Sequence, residues 1–214
     1  MPENIGPVTE VKAFEQLGIL VLDGSGSMAD IGETSKSKAD EVNTAVRGLI
    51  SRLAHSRLRD NFLLAVITFD TKVDENRVPP TPVTTLDEFG DYNSLHGHGG
   101  GTNIGDALDK AATVAKSFLG SQQSFPRTAV IVIMSDGQNT GGQDPVTVAD
   151  SIKKGGQPIT LCCAAYGMNS DVDALTLQKI ATDAAGYVRA YDPERLRKFF
   201  EASVSKLRAG APTV

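Results

Sequence analysis

Four apolar runs punctuate the chain: LGILVL (17–22), FLLAVITF (62–69), AVIVIM (129–134) and PITLCCAA (158–165). Each is short, rich in β-branched residues and not alternating, the pattern of a strand covered on both faces. Helical stripes lie between them. Over residues about 35–55, Val42, Val46, Leu49, Ile50 and Leu53 share one face, leaving Lys36, Lys38, Asp40, Arg47 and Arg52 to water. Over about 103–119, Ile104, Leu108, Ala111, Ala112, Ala115, Phe118 and Leu119 do the same. Further helices are expected over about 145–154, 172–184 and 193–207, with Pro145 and Pro193 in first turns that tolerate them. The last of these presents Leu196, Phe199, Phe200, Val204 and Leu207 on its apolar face.

Strands alternating with helices predict an α/β fold: a doubly wound, mostly parallel sheet with helices on both faces. TKVDENRV (71–78) follows its preceding run too closely for a crossover, so it reads as an antiparallel edge strand. GYVRAY (186–191) reads as a last short strand. Residues 79–101, rich in Pro, Thr, Asp and Gly, read as a long surface loop with a short helix near LDEF. Loops of that length are uncommon without a function.

At 214 residues the chain suits one domain, expected over 14–207 between flexible tails at 1–13 and 208–214. A net charge of -5, with no long Lys/Arg run, argues against nucleic-acid binding. Cys162 and Cys163 are adjacent in a strand and point to opposite faces, which suits small buried hydrophobes in a reducing compartment rather than a bridge. The N-terminal MPENIGPVTEVKAF lacks the regions of a signal peptide, and no stretch approaches the ~20 apolar residues of a membrane span. A cytoplasmic protein without membrane partners is expected.

Ligands of open α/β sheets bind beyond the carboxyl ends of the strands. The first run delivers Asp23-Gly24-Ser25-Gly26-Ser27 there, and AVIVIM delivers Ser135-Asp136-Gly137. The long loop ends in GHGGGTNIGDAL, placing Thr102 at the start of a helix. Gly24 and Gly26 are expected to let the first loop turn sharply, so that Asp23, Ser25 and Ser27 aim at one point. With Thr102 and Asp136 they make five hard oxygen donors, two of them anionic, a set suited to Mg²⁺. Two carboxylates confined together without a cation would repel one another.

The DGSGS, GGT and SDG motifs together resemble the von Willebrand factor type A domain and its metal-ion-dependent adhesion site. The likeness spans roughly residues 14–207, with Asp23, Ser25, Ser27, Thr102 and Asp136 in the family's order. It implies a doubly wound sheet with one antiparallel edge strand. It also implies an Mg²⁺ or Mn²⁺ ion held by those five residues, and a non-catalytic interaction module. The ion's sixth position would take a Glu or Asp from a protein partner. Stand-alone bacterial members associated with tellurite resistance and stress response, linked to kinases and phosphatases, are similar in architecture.

Rival readings remain open on the same residues. Gly24, Gly26 and Ala29 fit a dinucleotide fingerprint, but the helix begins too late and no acidic residue follows at the expected distance. A phosphate-binding P-loop lacks its lysine. A Mg²⁺-dependent phosphoryl hydrolase with Asp23 as nucleophile would need a second acid and a lysine that this loop does not supply. A docking subunit of a chelatase or ATPase complex would use the same domain. Asp136 alone fits an Asp-Gly turn, and Thr102 or Asn103 fits an N-cap with Asp106 completing a capping box. His96 and His98 fall short of a zinc set and read as rim histidines. Asp30 and Glu33 read as solvated carboxylates or an accessory cation site, and Asn139 and Thr140 as partner contacts or turn caps.

Overall fold

A computed structural model describes residues 12–121, 123–167 and 173–205. Six strands form one sheet in the order β3-β2-β1-β4-β5-β6. They are β1 (Glu15–Asp23), β2 (Phe62–Phe69), β3 (Val73–Pro82), β4 (Arg127–Ser135), β5 (Ile159–Tyr166) and β6 (Tyr187–Ala190). All neighbours pair in parallel except β2 and β3, which are antiparallel. The helices are α1 (Lys38–Ala54), α2 (Ile104–Gly120), α3 (Pro145–Lys154), α4 (Ala174–Ile180) and α5 (Pro193–Ser205).

The unbroken apolar runs now have their cause. Leu17, Ile19 and Val21 of β1 face a layer with α2, α3 and α4, whereas Leu20 and Leu22 face one with α1 and α5. Each strand face needs its own apolar set, so alternation disappears. Cys163 lies in the first layer and Cys162 in the second, as the period of two requires. Burial pushes the Cys163 thiol far above its ordinary range, so it acts as a hydrophobe there.

The stripe of α1 is buried as expected, but the helix starts at Lys38, with the Ser37 hydroxyl accepting from the Asp40 N–H at 3.1 Å. Lys38 is itself buried, contrary to its expected exposure. The edge strand runs on to Pro82, so the expected loop loses its first four residues. Prolines are tolerated there because an edge strand has a border without ladder partners. The helix expected near LDEF is instead a turn, closed by Gly90 N–H to Asp87 carbonyl at 3.0 Å, after a short 3-10 turn at Val83–Thr85.

The helix expected over 172–184 ends at Ile180, and residue 172 lies outside the described residues. The Thr182 N–H bonds the Leu161 carbonyl at 3.0 Å, so the backbone is drawn to the start of β5 and the helix stops. In α5, Leu196, Phe200 and Val204 are buried, Phe199 is partly buried, and residue 207 lies outside the described residues.

Gly18 is where α5 closes on the sheet: a Cβ there would stand 2.9 Å from Val204 Cγ1 and 3.2 Å from Leu64 Cδ1. Gly18→Ala is therefore expected to cost about 1–2 kcal/mol by overpacking. Urea unfolding would read this, and an unchanged midpoint would mean that α5 yields without cost.

Candidate functional site

The tip of β1 delivers Asp23, which has no exposed surface. Its two carboxylate oxygens are both occupied. The Ser25 backbone N–H donates to Oδ1 at 2.8 Å and the Ser135 hydroxyl donates to Oδ2 at 2.6 Å. Burial outweighs these hydrogen bonds and raises the Asp23 pKa to about 6. Repulsion from Asp136 contributes least among the named causes.

From Asp23 the polar chain continues outward. Ser25 Oγ lies 3.1 Å from Ser27 Oγ, and the Ser27 hydroxyl donates to Asp136 Oδ1 at 2.7 Å. Asp136 follows the last residue of β4, which neighbours β1 in the sheet, so strand pairing alone brings these loops together. Thr102, buried at the entry to α2, places its hydroxyl beside Gly137, 3.7 Å from where a Cβ would stand. All five expected residues thus lie at one end of the sheet, four of them linked through short hydrogen bonds.

The glycines work differently from expectation. Neither Gly24 nor Gly26 adopts a positive φ. Gly24 is instead a site of close approach: a Cβ would lie 2.1 Å from the Ser94 carbonyl oxygen, while the Ser94 hydroxyl donates to the Asp23 carbonyl at 2.6 Å. Left-handed backbone occurs in the facing loop, at Gly97 (φ 82°) and Gly99 (φ 133°), where other residues would be strained. That loop meets the first through the Gly26 N–H and the Gly100 carbonyl, 3.0 Å apart.

Thr102 is held by the loop after β4. Its N–H donates to the Thr140 hydroxyl at 2.7 Å, and its carbonyl accepts from the Thr140 N–H at 2.8 Å. Asn139 Oδ1 accepts from the Ile104 N–H at 2.8 Å and so caps α2 from another loop. Asn103 makes no side-chain cap, and Asp106 accepts from the Gln143 N–H rather than closing a capping box. Asn139 and Thr140 thus brace the site.

The His98 side chain turns in from the rim and is only 5% exposed. Its Nε2 lies 3.0 Å from Thr68 Oγ1 and its Nδ1 3.1 Å from Asp70 Oδ1. Burial pushes Asp70 upward, yet the Lys72 and Gly100 N–H groups and His98 outweigh it and hold the carboxyl at about 2. His96 stays exposed, 2.8 Å from Asp91. Among the described residues no group of three or more His, Cys, Asp or Glu forms a candidate metal cluster. The strand-tip donors, mostly hydroxyls with two carboxylates, form a set of a different kind and fit a hard dication.

Two roles escaped the sequence reading. Ser135, expected at this strand end without a part of its own, is the last residue of β4 and anchors Asp23. Lys38 opens α1, and its ammonium lies 2.6 Å from Asp136 Oδ2. Beside it, Glu41 accepts from the Tyr166 hydroxyl at 2.6 Å and from the backbone and hydroxyl of Thr34. The recess bordering this region is small, about 120 Å³, and lined by Ile31, Glu33, Lys38, Glu41, Tyr166 and Tyr191 among others.

A family model described as the von Willebrand factor type A domain matches residues 19–202. No curated protein matches the chain. Solved structures with the same fold include the pilus adhesin SpaC from Lactobacillus rhamnosus GG, with TM-score 0.71 and 12% identity over 92% of this chain and 30% of that one. Proximal thread matrix protein 1 from the mussel byssus, described with a zinc-occupied MIDAS motif, has TM-score 0.62 and 18% identity over 90% of this chain and 48% of that one. The PilB minor pilin from Streptococcus sanguinis has TM-score 0.64 and 17% identity over 88% and 60%. This chain therefore spans about a third to three fifths of these neighbours. Nothing in these matches bears on tellurite resistance or stress response.

Proposed function

The chain belongs to the von Willebrand factor type A domain family, and from that premise we propose that Asp23, Ser25, Ser27, Thr102 and Asp136 form a metal-ion-dependent adhesion site for Mg²⁺ or Mn²⁺. The observation that carries this is the hydrogen-bonded cluster at the strand tips, in which the Ser25 N–H holds Asp23 and the hydroxyls of Ser25 and Ser27 lead on to Asp136. When bound, the ion supplies a Lewis-acidic position for a Glu or Asp carboxylate of a protein partner. The residues of the chain hold and orient the donors, and the flanking loops shape the contact. We place the module in the cytoplasm, in a bacterial stress-response or metal-resistance system with a kinase or phosphatase among its partners. Among the described residues no helix is long and apolar enough to cross a membrane.

A non-enzymatic role is supported by the burial of Asp23 and the occupation of both its oxygens, which leave it poorly placed as a nucleophile for phosphoryl transfer. Docking onto a larger ATPase-type machine uses the same surface and differs only in the partner.

Mn²⁺ titrated into the isolated chain is expected to bind weakly, with Kd on the order of 10⁻⁴ M, because few anionic ligands face the ion. Ser27→Ala should weaken binding by at least about tenfold while leaving the circular dichroism spectrum unchanged. Nanomolar affinity, or a Ser27→Ala chain that binds like its parent, would sink this assignment.

A further inference from the structure

Lys38 is an unexpected occupant of this end of the molecule. Its side chain is 5% exposed, and its ammonium sits between Asp136 Oδ2 at 2.6 Å and Asp30 Oδ2 at 3.7 Å. The two carboxylates differ sharply in setting: the Asp136 side chain is 1% exposed and that of Asp30 64%. Lys38 is also the first residue of α1, where the helix dipole disfavours a cation. Its place there is explained by the carboxylates, since neither helix propensity nor packing asks for an ammonium. The loop keeps Asp30 close: the Lys38 N–H bonds the Asp30 carbonyl at 2.9 Å, and Ile31 pairs with Ser37 in a short antiparallel bridge.

We propose that Lys38 is a tethered cation that sets the affinity of the site, its ammonium competing with the divalent ion for Asp136 and moving onto Asp30 when the ion binds. This rests on the adhesion-site assignment above. Lysine suits the part, because its ammonium is a point charge on a flexible four-carbon stem and is not locked into a planar fork. Asp136 uses Oδ1 for Ser27 and Oδ2 for Lys38, so a dication entering beside Ser27 meets a carboxylate already half neutralised. The same arrangement accounts for how two acidic residues stand at the tips of neighbouring strands without mutual repulsion dominating. It also leaves more of the ion's positive charge unneutralised, available to a partner's carboxylate. Asp30, in this account, receives the displaced ammonium and is not a ligand of an accessory cation.

The test is Mn²⁺ binding, by calorimetry and by the electron paramagnetic resonance of free Mn²⁺, at fixed pH and ionic strength. Lys38→Met and Lys38→Gln are expected to bind Mn²⁺ about tenfold tighter than the parent chain, since a unit charge close to the ion is removed. Asp30→Asn is expected to bind about threefold weaker. In the Lys38→Met background, Asp30→Asn should have no effect, because no ammonium needs a second seat. Affinity within twofold of the parent in both Lys38 variants, or an equal Asp30→Asn effect in both backgrounds, would overturn the proposal. If neither Lys38 variant folds, Asp30→Asn decides: unchanged affinity overturns it. Ser27→Ala separates the two levels. Loss of binding there, with no Lys38 effect, refutes Lys38 alone; no loss there refutes the metal site, and Lys38 then has nothing to regulate.

Discussion

In chelator at pH 7.5, Asp23→Asn is expected to melt about 5–10 °C above the parent chain, and nearly level with it at pH 4. The folded pKa of Asp23 is raised from 3.8 to about 6, chiefly by burial. A raised folded pKa means that its stabilising share is complete below pH 3.8 and is lost as pH climbs through 6. Two units correspond to an upper bound of about 3 kcal/mol at neutral pH. Asparagine is uncharged, so it escapes this cost, and its carbonyl can still accept from one of the two present donors. The same variant should lose Mn²⁺ binding altogether at accessible concentrations. The pair of results, a firmer fold and a dead site, would mark a carboxylate kept for function at the expense of stability. A variant that melts lower than its parent at pH 7.5 would show instead that Asp23 anchors the strand tip.

Gly24→Ala is expected to lose metal binding although every donor oxygen is retained. The new methyl would overlap the Ser94 carbonyl at 2.1 Å and crowd His98 Cβ at 2.9 Å. Backbone cannot swing aside as a flexible side chain does, so the strand tip and the 94–98 loop must separate. The Ser94 hydroxyl would leave the Asp23 carbonyl, and the expected penalty is about 3 kcal/mol or more. Urea unfolding and Mn²⁺ titration of the same preparation check both effects. Parental affinity in a stably folded Gly24→Ala chain would mean that the approach of Ser94 is not needed for the site.

What could be read from the residues was whatever depended on local pattern and strand order. Asp23, Ser25 and Ser27 sit in one pentapeptide, and Asp136 ends a neighbouring run, so a parallel sheet brings them together with little further information. Lys38 escaped because periodicity assigns helix faces along the middle of α1, whereas its first residue points past the end of the helix toward another strand's loop. His98 escaped because the fold of the 94–101 loop, and not its composition, decides which histidine side chain turns inward. Asn139 capping α2 from a distant loop is likewise a tertiary fact that no window around residue 103 contains. The short α4 followed the same rule, with the Leu161 carbonyl of β5 taking the Thr182 N–H and overriding local helical preference, whereas the turn at LDEF is closed locally between Gly90 and Asp87.

The borders of the sheet bear on how such a module meets other molecules. One border is β3, whose final stretch contains Pro79, Pro80 and Pro82; the other is β6, four residues long. A foreign strand laid against β3 would find positions with no N–H to offer, and one laid against β6 would find too few rungs to hold it. Neither border is a good template for strand addition, so the sheet is guarded against indiscriminate lateral growth. On the proposed assignment, attachment falls instead to the strand tips, where an ion can gate it.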